Sequence, residues 1–459
     1  MSSDLKNIDP ETAWKVFTPS EQQPWTRQLA AHLYRRAGFA ASQADLVAAL
    51  KTSPAELVDR LVNAEPSDES DKFVGEMEQV GKLILSGREP KRLAAWWLYR
   101  MTFCERQLLE KATFFWHGHF ATSAAKVNNV AAMLKQNELL REHALGSFEE
   151  LVQGISRDPA MLIYLDSTQN RKTHPNENYA REVLELFCLG LGNYTEKDIQ
   201  EIARCFTGWE VKRGGFRFNQ YQHDDGVKRF LGVSGKLGGA EAVKAIVKQP
   251  AAARFIARKL VKFYLFDEPV ASDELIQPLA DQLTGNGFHI GEVVQTILSS
   301  QLCFSPHALN RKIRSPVELA IGLLRTTGTS VNFFQLSDQL ELLGQLPFYP
   351  PNVKGWDGGR SWINSSTLIA RSNLVSRIVR SPDTTWADGD PAQWLRLRSG
   401  SADVGKQVDW LLDMLVAQPV KSASRDELVQ LAAELKTDRP QGVADLICAI
   451  SALPEFQLN

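Results

Sequence analysis

The sequence has almost no surplus of charge: 52 Lys and Arg stand against 54 Asp and Glu, a net charge of −2. That removes the electrostatic case for a nucleic-acid partner or an anionic membrane surface. Cysteine is scarce. Cys104, Cys188, Cys205, Cys303 and Cys448 are odd in number, scattered and set mostly in apolar helical patterns, so buried free thiols are expected in place of disulfides. Free thiols favour a reducing compartment. No apolar run approaches the length of a membrane span, and Met1-Ser2-Ser3-Asp4-Leu5-Lys6 lacks a signal-peptide core and a twin-arginine run. The expectation is therefore the cytoplasm as the sequence stands, although a chain trimmed of its leader would look the same. Also missing are a nucleotide-binding glycine loop, a Gly-x-Ser-x-Gly elbow, His-Glu-x-x-His and Cys-x-x-Cys, so no nucleotide cofactor is indicated.

What remains is dominated by helical patterns. Residues 73–86 and 90–117 predict two long helices, the second carrying Trp96, Trp97, Met101, Phe114, Phe115 and Trp116. Amphipathic helices recur between residues 239 and 327, with the cap Asn364-Ser365-Ser366 opening another. One hairpin is expected, Trp209–Phe218, around Gly214-Gly215. The fold class is therefore mainly α, a large multi-helix assembly around a single core with one small β-hairpin excursion. Residues 1–24 read as an arm, 25–375 as the helical core domain and 376–459 as a C-terminal helical extension packed on it.

The chain is organised around Asn176–Phe187, a Gly- and Pro-free stretch after His174-Pro175 that predicts a helix. Asn178, Glu182 and Glu185 fall on one stripe and apolar residues cover the rest, so the carboxylates are expected to be buried and to need partners. Glu177, Arg181 and Glu185 at i, i+4 and i+8 can form a ladder of their own. Glu182 stands outside that ladder. Its partner would be a functional group such as His117, or Arg35 or Arg36 in a buried ion pair.

Three other stretches carry chemistry. Glu110 and His117 share a helix face, and a backbone break at Gly118 would let His117 and His119 converge on one metal; the alternative is imidazoles satisfied within an aromatic core. His223-Asp224-Asp225-Gly226 follows the hairpin, where Asp224 could orient His223 or bind a cation, or simply form a turn. The loop 346–362 holds Trp356 and Trp362, which could stack on a sugar or other flat ligand, or serve as a structural plug.

Together these stretches resemble the bacterial family catalogued as the domain of unknown function 1800. The matching residues are Arg35–Phe39, Phe115–Phe120, Asn176–Glu182 with Glu185-Leu186-Phe187, Phe206–Trp209, His223-Asp224, Lys228, Leu231-Gly232, Ser315–Glu318 and Pro350–Trp356. The family has no established reaction. The resemblance implies a possible partner protein similar to the alkaline phosphatase and sulfatase superfamily, and many members look exported.

The favoured expectation is a metal-dependent enzyme, oxygen-activating or hydrolytic. Its iron, manganese or zinc would be held by His117, His119, Glu110, Glu182, Glu185 and His223, with Glu182, Asp224 and Arg36 catalytic and Asn178, Trp356 and Trp362 on the substrate. The first alternative is a non-enzymatic scaffold or partner protein with a structural polar cluster. A metal-free saccharide or peptide binder using the Trp loop is the other.

Overall fold

Helix boundaries follow the capping residues. In the computed structural model, which describes residues 8–64, 67–87 and 89–459, nine of the helices position the site and are labelled in chain order. Thr26 caps α1 (Arg27–Ala37) by accepting the Leu29 N–H, and α2 (Lys91–Phe103) and α3 (Gln107–His119) follow. The expected single helix over 90–117 is thus two. Gln107 causes the break: its side-chain amide donates to the carbonyls of Met101 and Cys104, satisfying the orphan acceptors at the end of α2.

Next come α4 (Val130–Glu142), α5 (Asn178–Glu182), α6 (Glu196–Cys205), α7 (Pro250–Tyr264), α8 (Pro316–Thr327) and α9 (Ser365–Arg380). Capping boxes start α6 at Thr195 and Asp198, and α8 at Ser315 and Glu318. The helix predicted over 176–187 is α only as far as Glu182. Val183–Cys188 continues as a π-helix, with the Leu189 N–H bonded to the Leu184 carbonyl at 2.8 Å.

The protein is mainly α. The expected hairpin is present as β1 (Trp209–Lys212) and β2 (Gly215–Phe218), with Trp209 opposite Phe218 and the turn at Arg213-Gly214, both at positive φ. Two smaller antiparallel pairs were not expected: β3 (Lys228–Phe230) with β4 (Val233–Gly235), and β5 (Thr329–Ser330) with β6 (Thr385–Trp386). Pairs this short carry no periodicity to detect.

Two apolar clusters form the interior. One joins Leu33, Trp116, Phe148, Leu184, Leu260 and Ile297; the other joins Trp97, Met133, Ile321, Leu340, Val375 and Ile447, so helices before and after residue 376 share it. The supposed arm also belongs to the body. Residues 1–7 lie outside the described ones, but Phe17 is 5% exposed, stacks 4.6 Å from Phe304 and donates its N–H to the Ser299 carbonyl. Among the described residues no helix is long and apolar enough to cross a membrane.

All five cysteines are free thiols, and burial pushes Cys205 and Cys303 up to about 12. Native protein at neutral pH is expected to present only half-buried Cys448 to a thiol reagent, and all five after denaturation. Rapid labelling of two or more native thiols would contradict this packing.

Candidate functional site

The candidate residues on α3 part company along its length. Glu110 is fully buried and takes charge-assisted bonds from Arg100 at 2.6 Å and Arg141 at 2.7 Å, plus the Trp97 indole at 2.8 Å. Burial raises its pKa, but the two guanidiniums outweigh that and hold it at about 2. This carboxylate is a structural anchor joining α2, α3 and α4.

The helix does not break at Gly118 but continues through His119, so the two imidazoles point to different surroundings. His117 lies in a cage of Trp97, Phe348 and Trp356, and its Nε2 accepts the Phe348 N–H at 2.9 Å. Burial depresses its pKa to about 3, so it is neutral and this lone pair is in use. Phe348 sits at φ 69°, a strained conformation for a bulky residue, and His117 helps hold it there.

His119 turns toward α7. Its Nε2 is 2.9 Å from the Phe187 carbonyl, which assigns the N–H to that nitrogen, and its Nδ1 accepts from Lys259 Nζ at 3.0 Å. Lys259 Nζ also donates to the Leu186 carbonyl at 3.3 Å. Leu186 and Phe187 belong to the π-helical turn, so the carbonyls at the end of the organising helix are spent on orienting Lys259 and His119. Burial lowers the Lys259 ammonium to about 8; the Lys262 charge lowers it too, and Cys188 acts in the opposite sense.

Lys259 opens onto a cavity of about 320 Å³ between α3, α7, the start of α8 and the loop 346–362. Phe115, Phe263, Trp356 and Trp362 supply apolar wall, and Lys262, Lys312 and Lys354 add three more amines. Gly118 also faces the cavity, where a Cβ would meet nothing within 4 Å, while its carbonyl lies against Gly355. The Asn352 side chain accepts the Lys354 N–H at 2.8 Å in a tight turn that precedes Trp356, whose indole donates to the Gly344 carbonyl at 2.9 Å.

Of the three lining carboxylates, Glu318 and Asp267 are committed and Asp357 is exposed. Glu318 is bonded to Lys111 and to the Ser315 N–H, and although burial raises its pKa, Lys111 and Lys312 hold it far below the usual range. Asp267 accepts the Ile313 N–H at 3.1 Å and lies 4.0 Å from Lys312, the only lining amine with a carboxylate at that range among the described residues. Behind this end lies Arg36, expected to be catalytic. It is buried, donates to the Ala308 and Asn459 carbonyls, and contacts neither Glu182 nor substrate space; with Arg314 and Arg371 it adds positive potential around Glu318.

The remaining candidates lie apart. Glu182 is half-buried, not buried as expected, and burial raises its pKa, as does Glu185, with Arg181 and Lys354 acting against them. Glu185 accepts the Tyr194 hydroxyl at 3.0 Å, so the Glu177–Arg181–Glu185 ladder is replaced by Arg181 bridging Glu177 and Glu196. Asn178 donates to the Leu165 carbonyl and does not face His117. His223 Nδ1 is bonded to the Thr207 carbonyl at 2.9 Å and Asp224 to Arg204 at 2.7 Å, with the Gly226 N–H on Asp224, which makes 223–226 a turn clasped to α6. Of the expected set, only His119, Trp356 and Trp362 line the cavity. The expected gathering of imidazoles and carboxylates in one buried site is not what the fold builds. Among the described residues, no group of three or more His, Cys, Asp and Glu could hold a metal ion.

The amines were missed. Phe255, Lys259 and Phe263 follow at i, i+4 and i+8 with Lys262 beside them, a stripe flanking the apolar face of α7 that could have marked a cationic wall. Lys312 and Lys354 gave no comparable signal.

A second cavity, about 340 Å³ beside α9, offers Arg377 and Arg380, but Arg380 is paired with Asp445 and no carboxylate or imidazole lines the cavity.

Fold and site together define a mainly α-helical protein with one amine-lined, aromatic-walled pocket at the end of a π-distorted helix. The chain belongs to the family described as "Protein of unknown function (DUF1800)", which matches residues 32–458, nearly its whole length. No curated protein and no solved structure matches it.

Proposed function

We propose that the chain binds a small anionic molecule bearing a flat ring, an aryl or sugar carboxylate or phosphate, in the pocket of Lys259, Lys262, Lys312 and Lys354. The observation that carries this reading is the imbalance of the lining. Four amines converge on a cavity with three carboxylates, of which Glu318 is bonded to Lys111 and Asp267 lies beside Lys312. Among the described residues Lys259, Lys262 and Lys354 thus have no carboxylate at ion-pair distance, and only Asp357 is left to offset them. Lys262 and Lys354 are exposed at the mouth of the cavity, and Lys259 is half-buried deeper within it. Trp356 and Trp362 supply the faces on which a ring can lie.

Tryptophan fluorescence titration with 4-methylbenzoate, glucuronate and glucose 6-phosphate, against methyl 4-methylbenzoate and glucose, tests the reading. The anions are expected to bind and the neutral compounds to bind at least tenfold more weakly. Each of Lys262→Ala and Lys354→Ala is expected to weaken anion binding roughly tenfold, as loss of a charge-assisted contact does. Equal affinity for neutral and anionic members would defeat the proposal.

A further inference from the structure

We infer that Lys259 is a carbonyl-capturing amine, which condenses with the aldehyde or ketone carbon of an anionic ligand held in this pocket. The inference rests on the anion-pocket reading and narrows its ligand to a carbonyl compound.

The geometry at Nζ leads to it. A neutral amine has two hydrogens and one lone pair on a tetrahedral nitrogen. Two acceptors lie within reach, His119 Nδ1 at 3.0 Å and the Leu186 carbonyl at 3.3 Å, and both belong to the pocket's inner wall. Each can take one hydrogen, which leaves the lone pair as the fourth direction of a side chain that lines the cavity. His119 is fixed as an acceptor because its Nε2–H is engaged by the Phe187 carbonyl.

The surroundings disfavour an ammonium at this position. Among the described residues no carboxylate pairs with Lys259, and Lys262 lies one helical turn away on the same side of α7. From the other elements, His119 on α3 is neutral, Cys188 on the π-turn is a buried thiol, and Lys354 on the loop is a further cation. A buried lysine with a purely structural role is kept charged by a carboxylate beside it. Lys111, just behind the cavity, has that arrangement with Glu318.

The step balances without a redox partner. The Nζ lone pair attacks the carbonyl carbon and forms a C–N bond, and the carbonyl π pair moves to oxygen, which takes up a proton. Nitrogen then loses a proton, the hydroxyl takes up a second proton from water and leaves as water while C=N forms, and the resulting iminium returns its remaining N–H proton to water. The net change is one imine and one water, and hydrolysis reverses it. The ligand's anionic group remains on Lys262, Lys312 or Lys354.

The test uses the full-length protein with 4-carboxybenzaldehyde, which has the ring, the anion and the carbonyl, and 4-methylbenzoate, which has only the first two. Borohydride is added to the aldehyde mixture and the reduced adducts are located by peptide mass spectrometry. Labelling at Lys259 is expected at least roughly tenfold faster than at any other lysine, reflecting its larger fraction of neutral amine. Excess 4-methylbenzoate should suppress it, and Lys259→Met, checked for an unchanged melting temperature, should remove it. If 4-methylbenzoate binds but Lys259 labels no faster than surface lysines, the inference falls and the anion pocket stands. If neither binding nor selective labelling occurs, both fall. Selective Lys259 labelling without 4-methylbenzoate binding would keep the reactive amine and overturn the anion pocket. Because the labelling is mapped in the unaltered chain, misfolding of the variant would not spare the inference.

Discussion

Glu110→Ala is expected to be the most damaging single change in the molecule, costing about 3–5 kcal/mol of stability in denaturant unfolding. The carboxylate is fully buried and is the common partner of Arg100 and Arg141, so its removal leaves two largely buried guanidiniums without their counter-charge. Replacing all three residues with apolar ones should cost less than the single change, because no charge is then left unpaired. A loss below about 1 kcal/mol for Glu110→Ala would show that water reaches the network. The same group sets an acid limit. Its folded pKa of about 2 lies below that of an unfolded glutamate, so its contribution is complete above the unfolded value and is lost as the pH falls through about 2. Acid unfolding followed by circular dichroism should therefore shift toward neutrality by less in Glu110→Ala than in a variant equally destabilised at neutral pH that keeps this carboxylate, since one acid-labile contribution is already absent.

Gly355→Ala is expected to cost at least ~1–2 kcal/mol from its left-handed backbone alone. Residue 355 has φ 79°, and a Cβ there would stand 2.2 Å from the Gly118 carbonyl. Backbone cannot yield as a flexible side chain can, so the loop must lift, carrying Lys354 and Trp356 away from the cavity. Both the melting temperature and the affinity for 4-methylbenzoate should fall. Gly118→Ala is the matched control. Its Cβ meets nothing within 4 Å and its helical position favours alanine by about 1 kcal/mol, so stability should hold or rise while the new methyl intrudes on the ligand's space. If the two variants lost stability alike, the close approach of these backbones would not be what seats the loop.

The helical architecture was legible because capping residues and 3.6-residue periodicity are local. Asn364 caps its helix where expected, and Trp209–Phe218 forms its hairpin. The split at Cys104–Arg106 was not legible, since it depends on how Gln107 folds back on two carbonyls. The site was legible only in part. His119, Trp356 and Trp362 were singled out for their chemistry and do line the cavity. The partners of Glu110 come from other helices, Arg100 from α2 and Arg141 from α4, and no spacing along the chain announces them. Glu182 drew attention because an ideal helix places it opposite the apolar face. The π-turn begins just after it, and the residue ends half-buried.

That π-turn gives the pocket a dependence on residue count as well as residue identity. A wider turn accommodates one residue more than an α-helix of the same length, so deleting a single residue within Val183–Cys188 would restore regular winding and leave the apolar composition almost intact. The segments on either side would keep their places, while the carbonyls within the turn would be drawn back into the α-helical hydrogen-bond ladder. The Leu186 and Phe187 carbonyls would then no longer face Lys259 and His119. A chain shortened by one such residue could keep its core and still lose its site, a change that inspection of the lining side chains alone would miss.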